Sequence, residues 1–213
     1  MQIADAGEEA LEAWRWLDSV GRRARVQDGF RFGEPGPARL WRPNEYLESR
    51  LTSAPMGTAL DLACGSGRDA VFLASRGFEV TAVDHLPDAV ALGQDLERRY
   101  LNRTEPIQWV CTDLDEFEAS GKFDMVTCFF YLNRRLLARV PDLLEPGGVF
   151  VMQTFTTLHR ERFGKPRSEE FVLGPGEILD LVKGLEVVDY EESWVDDRHT
   201  ARCCLKLAGH NAG

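Results

Sequence analysis

Leu60-Asp61-Leu62-Ala63-Cys64-Gly65-Ser66-Gly67-Arg68-Asp69 is a short apolar run that breaks into a glycine turn and then into a polar, helix-forming segment. Two glycines one residue apart let the backbone turn sharply at a strand end and approach a ligand closely. The helix that follows directs its free amide groups and positive end at whatever binds there. A Gly-x-Gly turn by itself is shared by many nucleotide-binding proteins. Asp61 narrows the reading. A carboxylate inside the strand end offers nothing to a pyrophosphate, but it accepts a hydrogen bond from an ammonium group, directly or through water.

Outward from this turn the chain alternates. Strand one is 58–63, helix 66–76 ends at Gly77, and strand two is 78–83. A crossover helix over 87–100 leads to strand three at 107–110 and strand four at 123–129. Helix 132–144 stops at Pro146-Gly147-Gly148, and strand five is 149–155. Strand and helix in alternation, with short links, predict a parallel sheet covered by helices on both faces. The end of the chain departs from this. After a helix at 175–183, segments 185–194 and 200–207 follow without a helix between them, and the polar link Val195-Asp196-Asp197-Arg198-His199 predicts an antiparallel hairpin. Upstream, Leu11, Trp14, Leu17 and Val20 predict an amphipathic helix, 28–37 is a Gly/Pro loop, and Pro43 opens a helix through 44–51. The expected organisation is an N-terminal helix and loop (1–37) that could act as a lid, a cofactor-binding domain (38–208) and a short tail (209–213).

Composition bounds the function. With 213 residues the chain suits one α/β domain of ordinary size. Lys and Arg number 25 against 35 Asp and Glu, a formal net charge of −10, which disfavours nucleic-acid binding through phosphates. No apolar run spans a membrane and the first residues do not resemble a signal peptide, so a cytoplasmic location is expected. The five cysteines, Cys64, Cys111, Cys128, Cys203 and Cys204, form no Cys-x-x-Cys or His/Cys metal spacing. They read as small hydrophobes in a reducing compartment, with no metal site.

Two further acids complete a pattern. Asp84 ends strand two, where a carboxylate can accept from both hydroxyls of a ribose. Asp113, just after strand three, can accept the exocyclic amine of adenine, with Leu86 and Leu114 sandwiching the ring; the plainer reading is that Asp113 caps the next turn. Ammonium, ribose and adenine would thus be held from three successive strand ends, with no group left for a pyrophosphate or nicotinamide. That set fits S-adenosylmethionine (SAM), with S-adenosylhomocysteine (SAH) as product.

These residues resemble the class I SAM-dependent methyltransferases. Leu60 to Gly67 is similar to that family's first motif, Asp84 to its second, Cys111-Thr112-Asp113 to its adenine-contacting segment, and Leu144-Glu145-Pro146-Gly147-Gly148 to the turn before its fifth strand. The resemblance implies a Rossmann-like doubly wound sheet of seven strands in the order 3-2-1-4-5-7-6, mostly parallel. It implies a cofactor site built from Ala63, Cys64, Gly65, Gly67 and Arg68 of the turn, with Asp61 beneath. His85 beside Asp84 and Leu86, Phe129 ending strand four, and Trp41 from the preceding segment join it. Gly65 to Gly77 looks most like the tellurite-resistance and thiopurine-type enzymes, which act on small molecules. The Asn/Asp-Pro-Pro-Tyr motif of nucleic-acid amino-methylating branches is absent: Phe129-Phe130-Tyr131-Leu132 stands there.

The acceptor is expected beyond strands four and five. Arg134 and Arg135 follow strand four, and 156–167 carries Arg160, Arg162, Lys165, Arg167 and His159. Arginine forks match carboxylates and oxyanions, so a small anionic acceptor or a soft S, Se or Te nucleophile is expected; the plain alternative is a solvated loop paired with Glu169 and Glu170. An oxygen or nitrogen nucleophile would call on His159, His199 or neighbouring Arg160 at the reacting centre. Trp41 would cover the cofactor or pack the helix against the sheet. A nicotinamide oxidoreductase lacks its Tyr-x-x-x-Lys pair here and leaves Asp61 unexplained. A SAM-binding regulator without catalysis stays open at this stage, as does the oligomeric state.

Overall fold

The computed structural model describes residues 41–101 and 105–209. The chain divides into two units, Met1–Arg42 and Pro43–Gly213. Of the first, only Trp41 (half-buried) and Arg42 (exposed) are described, so the expected helix, Gly/Pro loop and lid at 1–37 lie outside the described residues, as do 210–213 of the tail.

In the second unit one sheet has the order β3-β2-β1-β4-β5-β7-β6. The strands are β1 (Thr58–Leu62), β2 (Glu79–Asp84), β3 (Gln108–Cys111), β4 (Phe123–Phe129), β5 (Leu144–Phe155), β6 (Leu185–Val195) and β7 (Arg198–Leu207). The first five are parallel, and β7 runs antiparallel to both β5 and β6. The helices are α1 (Glu45–Arg50), α2 (Arg68–Ser75), α3 (Pro87–Tyr100), α4 (Arg134–Leu143), α5 (Thr157–Phe163) and α6 (Glu177–Leu181). Leu60, Leu62, Val126, Cys128, Phe150, Met152, Cys203 and Leu205 alternate onto one face and form a core with Leu136, Leu137 and Val140 of α4 and Ile178 of α6. Asp61 and its register partner Thr127 occupy the opposite face, where both are buried.

Four local differences from the sequence expectation have physical causes. Helix α2 starts at Arg68 rather than Ser66 because Gly65 (φ 54°) and Gly67 (φ 73°) adopt left-handed backbone, closed by Gly67 N–H donating to the Cys64 carbonyl at 2.9 Å. Strand β5 begins at Leu144, and the Pro-Gly-Gly segment is absorbed by a register shift opposite Phe123/Met125. The 156–167 segment, expected as a loop, holds helix α5, ended by Gly164 with φ 65°. The hairpin link is two residues, Asp196-Asp197, with Asp196 in left-handed backbone, so His199 belongs to β7. All five cysteines are free; Cys128, Cys203 and Cys204 are buried, Cys64 is partly buried and Cys111 is exposed.

Candidate active site

The parallel strands place their carboxyl ends side by side. At β1, Asp61 is 2% exposed. Its Oδ1 accepts from Thr127 Oγ1 at 2.8 Å, while Oδ2 is buried with no hydrogen-bond partner. Burial, and then the carboxylate of Asp69, push the Asp61 carboxyl well above the usual range. Asp69 is itself raised by burial, although its Oδ1 accepts the Asn44 backbone N–H at 2.6 Å. An unpartnered carboxylate oxygen among further carboxylates calls for a cation, and among the described residues none reaches it.

Above Asp61 the chain turns through Ala63 (φ 55°), Cys64 and Gly65. A Cβ added to Gly65 would meet nothing within 4 Å, so this part of the loop faces open space. Gly67 differs. A Cβ there would lie 2.4 Å from the Trp109 ring and 2.8 Å from Gly93 Cα, so Gly67 is a packing glycine. Arg68 is exposed at the start of α2. Asp84, buried at the end of β2, accepts Gly65 N–H on Oδ2 (2.8 Å) and Leu86 N–H on Oδ1 (2.9 Å). One lone pair on each oxygen is left for a ligand hydroxyl. His85 is exposed, with Nδ1 3.5 Å from Asp84. Leu86 is exposed beside it.

Asp113 is exposed and caps Asp115 N–H with Oδ1 at 2.9 Å, the plain role, while Oδ2 faces no hydrogen-bond partner among the described residues. Leu114 corrects an expectation. It is 2% exposed and part of the core cluster, so Leu86 is the exposed leucine here. Phe129, half-buried, closes β4 in register with Gln153.

A second cluster lies at the ends of β4 and β5. Phe130, a bulky residue in left-handed backbone (φ 55°), donates its N–H to the Gln153 carbonyl at 2.8 Å. Such backbone costs about 1–2 kcal/mol and persists where surroundings demand it. From Phe130 an aromatic chain runs through Phe155 (5.1 Å between centroids), His159 (4.4 Å, stacked), Phe163 (4.9 Å), Trp194 (6.2 Å) and His199 (5.0 Å). Two guanidiniums lie on it: Arg162 over Trp194 at 4.7 Å and Arg198 over Phe130 at 5.7 Å. His159 and His199, forty positions apart in sequence, are therefore neighbours.

Two of the other candidate arginines are committed elsewhere. Arg134 bonds both carboxylate oxygens of Glu177 and the carbonyls of Glu170 and Val172, tying α4 to α6. Arg160 bonds Glu169 at 3.0 Å and the Arg167 carbonyl, so the plain pairing considered for it is the one formed. Sequence reading missed the aromatic wall: His159 and Phe163 share one face of α5 at i, i+4, but Phe155 ends β5, and only the turn between strand and helix brings it against them. It also missed Asn44, whose side chain caps α1, donates to Gln153 Oε1 at 3.1 Å and so joins the Asp69 side of the site to β5.

A family described as "Methyltransferase domain" matches residues 59–148, the span from β1 to the start of β5 that carries Asp61, Asp84 and Asp113. Over that span the chain is a SAM-dependent methyltransferase domain. The methyltransferase is 26% identical over 177 residues to nodulation protein S of Rhizobium tropici, covering 79% of this chain and 72% of that one. It spans between 35% and 61% of several other curated relatives. Among solved structures, the N-methyltransferase NodS from Bradyrhizobium japonicum superposes with TM-score 0.61 at 20% identity, over 77% of this chain and 93% of that one. A TehB-like SAM-dependent methyltransferase from Corynebacterium glutamicum does so with TM-score 0.55 at 20% identity, over 93% and 96%. At such identity these structures show that the methyltransferase shares their fold. Among the described residues, no helix is long and apolar enough to cross a membrane.

Proposed function

We propose that the chain transfers the methyl group of SAM to a small anionic molecule or a soft S, Se or Te nucleophile bound beyond β4 and β5. The observation that carries the cofactor half is the orphaned, buried Oδ2 of Asp61, a place for an ammonium group. Asp84 would hold the ribose hydroxyls with its remaining lone pairs, the free oxygen of Asp113 the adenine amine, and Leu86 one face of the ring. The Ala63–Gly67 turn would follow the backbone of the ligand. Bound there, SAM supplies a methyl group already activated by its sulfonium. What remains for the chain is to place the nucleophile in line and exclude water.

The acceptor half rests on Arg162 and Arg198. Among the described residues Arg162 has no hydrogen bond or ion pair, and Arg198 has only exposed Asp197 at 3.9 Å. Lying over rings, which offer no hydrogen-bond acceptor oxygen, their N–H groups remain available to an anion.

Two experiments test this reading. Calorimetric titration with SAM and SAH should show micromolar binding that Asp84→Ala weakens at least tenfold, about 1.4 kcal/mol. No binding to well-folded wild type would refute the cofactor half. Replacing Arg162 and Arg198 together by Gln should raise the acceptor KM several-fold and leave SAH affinity unchanged. Loss of SAH binding without a change in acceptor KM would remove these residues from the acceptor site.

A further inference from the structure

The protonation pattern of the two histidines says which form of acceptor the site takes; the inference rests on the function proposed above. His159 Nδ1 accepts the backbone N–H of His199 at 3.4 Å. A backbone amide only donates, so Nδ1 holds a lone pair and the neutral ring carries its proton on Nε2. An imidazolium would set one N–H against another. The environment agrees: burial holds the His159 pKa below its ordinary value, against the pull of Asp197 and with the help of Arg198 and His199.

His199 Nδ1 lies 2.7 Å from Thr156 Oγ1, and both residues are buried. The Thr156 hydroxyl has no other hydrogen-bond partner among the described residues. Donating its hydrogen to Nδ1 satisfies it, whereas accepting from Nδ1–H would strand a buried hydroxyl hydrogen. His199 is then also an Nε2–H tautomer. With Arg162 and Arg198 alongside, the wall presents donors, and Asp197, the carboxylate beside Arg198, is exposed.

We propose that His159 and His199 are neutral hydrogen-bond donors to an acceptor that arrives already ionised, and that neither removes a proton from it. The general-base role anticipated for them gives way to anion recognition. The bond-making is balanced without a proton: a lone pair of the anion forms the bond to the methyl carbon as the carbon–sulfur bond breaks, and that electron pair neutralises the sulfonium. A thiolate, another chalcogen anion or a carboxylate qualifies; a neutral phenol or protonated amine does not.

The test reads the rings directly. Long-range proton–nitrogen correlation on the full ¹⁵N-labelled chain, with and without SAH, should show both imidazoles as Nε2–H at neutral pH; an Nδ1–H ring at either position, or a charged one, overturns the proposal. Activity gives a second reading, with thiophenol as the ionised probe and phenol as its protonated counterpart. His159→Gln keeps an N–H donor but cannot take a proton. It should methylate thiophenol within about threefold of wild type, while His159→Phe loses at least about tenfold. Equal losses in both variants, or phenol methylated as well as thiophenol, would also overturn it. Failure of SAH to bind would strike the proposed function instead, since the tautomers remain readable in the ligand-free protein.

Discussion

Asp61→Asn should abolish most SAM affinity while raising the melting temperature of the ligand-free protein. The two effects have one cause. Asp61 is almost fully buried, one of its oxygens has no partner, and Asp69 and Asp84 add like charge. Its folded pKa is raised above the unfolded value of about 3.9. The sign follows: stability from the neutral form is fully present below that unfolded value and declines as pH rises toward the folded pKa. At neutral pH the ligand-free protein therefore carries a strained group, and Asn removes it while still accepting from Thr127. A gain of about 1–2 kcal/mol would lift the melting temperature by about 2–8 °C. The bound ammonium loses its buried counter-charge, a loss of about 2–4 kcal/mol, or roughly 30-fold or more in affinity. Binding to wild type should also tighten as pH rises toward the folded pKa of Asp61, a dependence that the variant lacks. A variant that binds as tightly as wild type would remove Asp61 from the site.

Gly67→Ala should produce the largest loss of stability among the loop glycines, about 2–5 kcal/mol. Left-handed backbone at φ 73° contributes about 1–2 kcal/mol, and forcing a methyl group into the Trp109 ring and Gly93 contributes about 1–3 kcal/mol more. The ring cannot step aside. Trp109 Nε1 is tied to Glu97 Oε2 at 2.7 Å, and Glu97 Oε1 accepts Ile107 N–H at 2.7 Å. Gly65→Ala is the informative contrast: the new methyl meets open space, so only about 1–2 kcal/mol of backbone strain is expected, with the main effect on cofactor affinity. Thermal melts and SAH titrations of the pair decide the matter. Equal destabilisation would contradict the packing role of Gly67.

The alternation of strands and helices, the glycine turn and the acids at successive strand ends were all legible in the sequence, because each is written in local spacing. Period two and period 3.6 mark strands and helices, glycines mark left-handed backbone, and a residue's place at a strand end follows from where the apolar run stops. Helix α5 was misread because its seven residues put only His159 and Phe163 against Phe155 of β5, and five charged residues within 159–167 look like a loop. What the tertiary structure alone decided is which polar groups are already spent. Arg134 and Arg160 look like Arg162 and Arg198 in sequence, yet Glu177 and Glu169 consume the first two and aromatic rings present the others. Gly65 and Gly67 look alike, yet one faces open space and the other Trp109. His159 becomes a fixed tautomer only because β7 brings the His199 amide to its ring. Each of these depends on register between strands distant in the chain, and pairing across the sheet leaves no local periodicity to read.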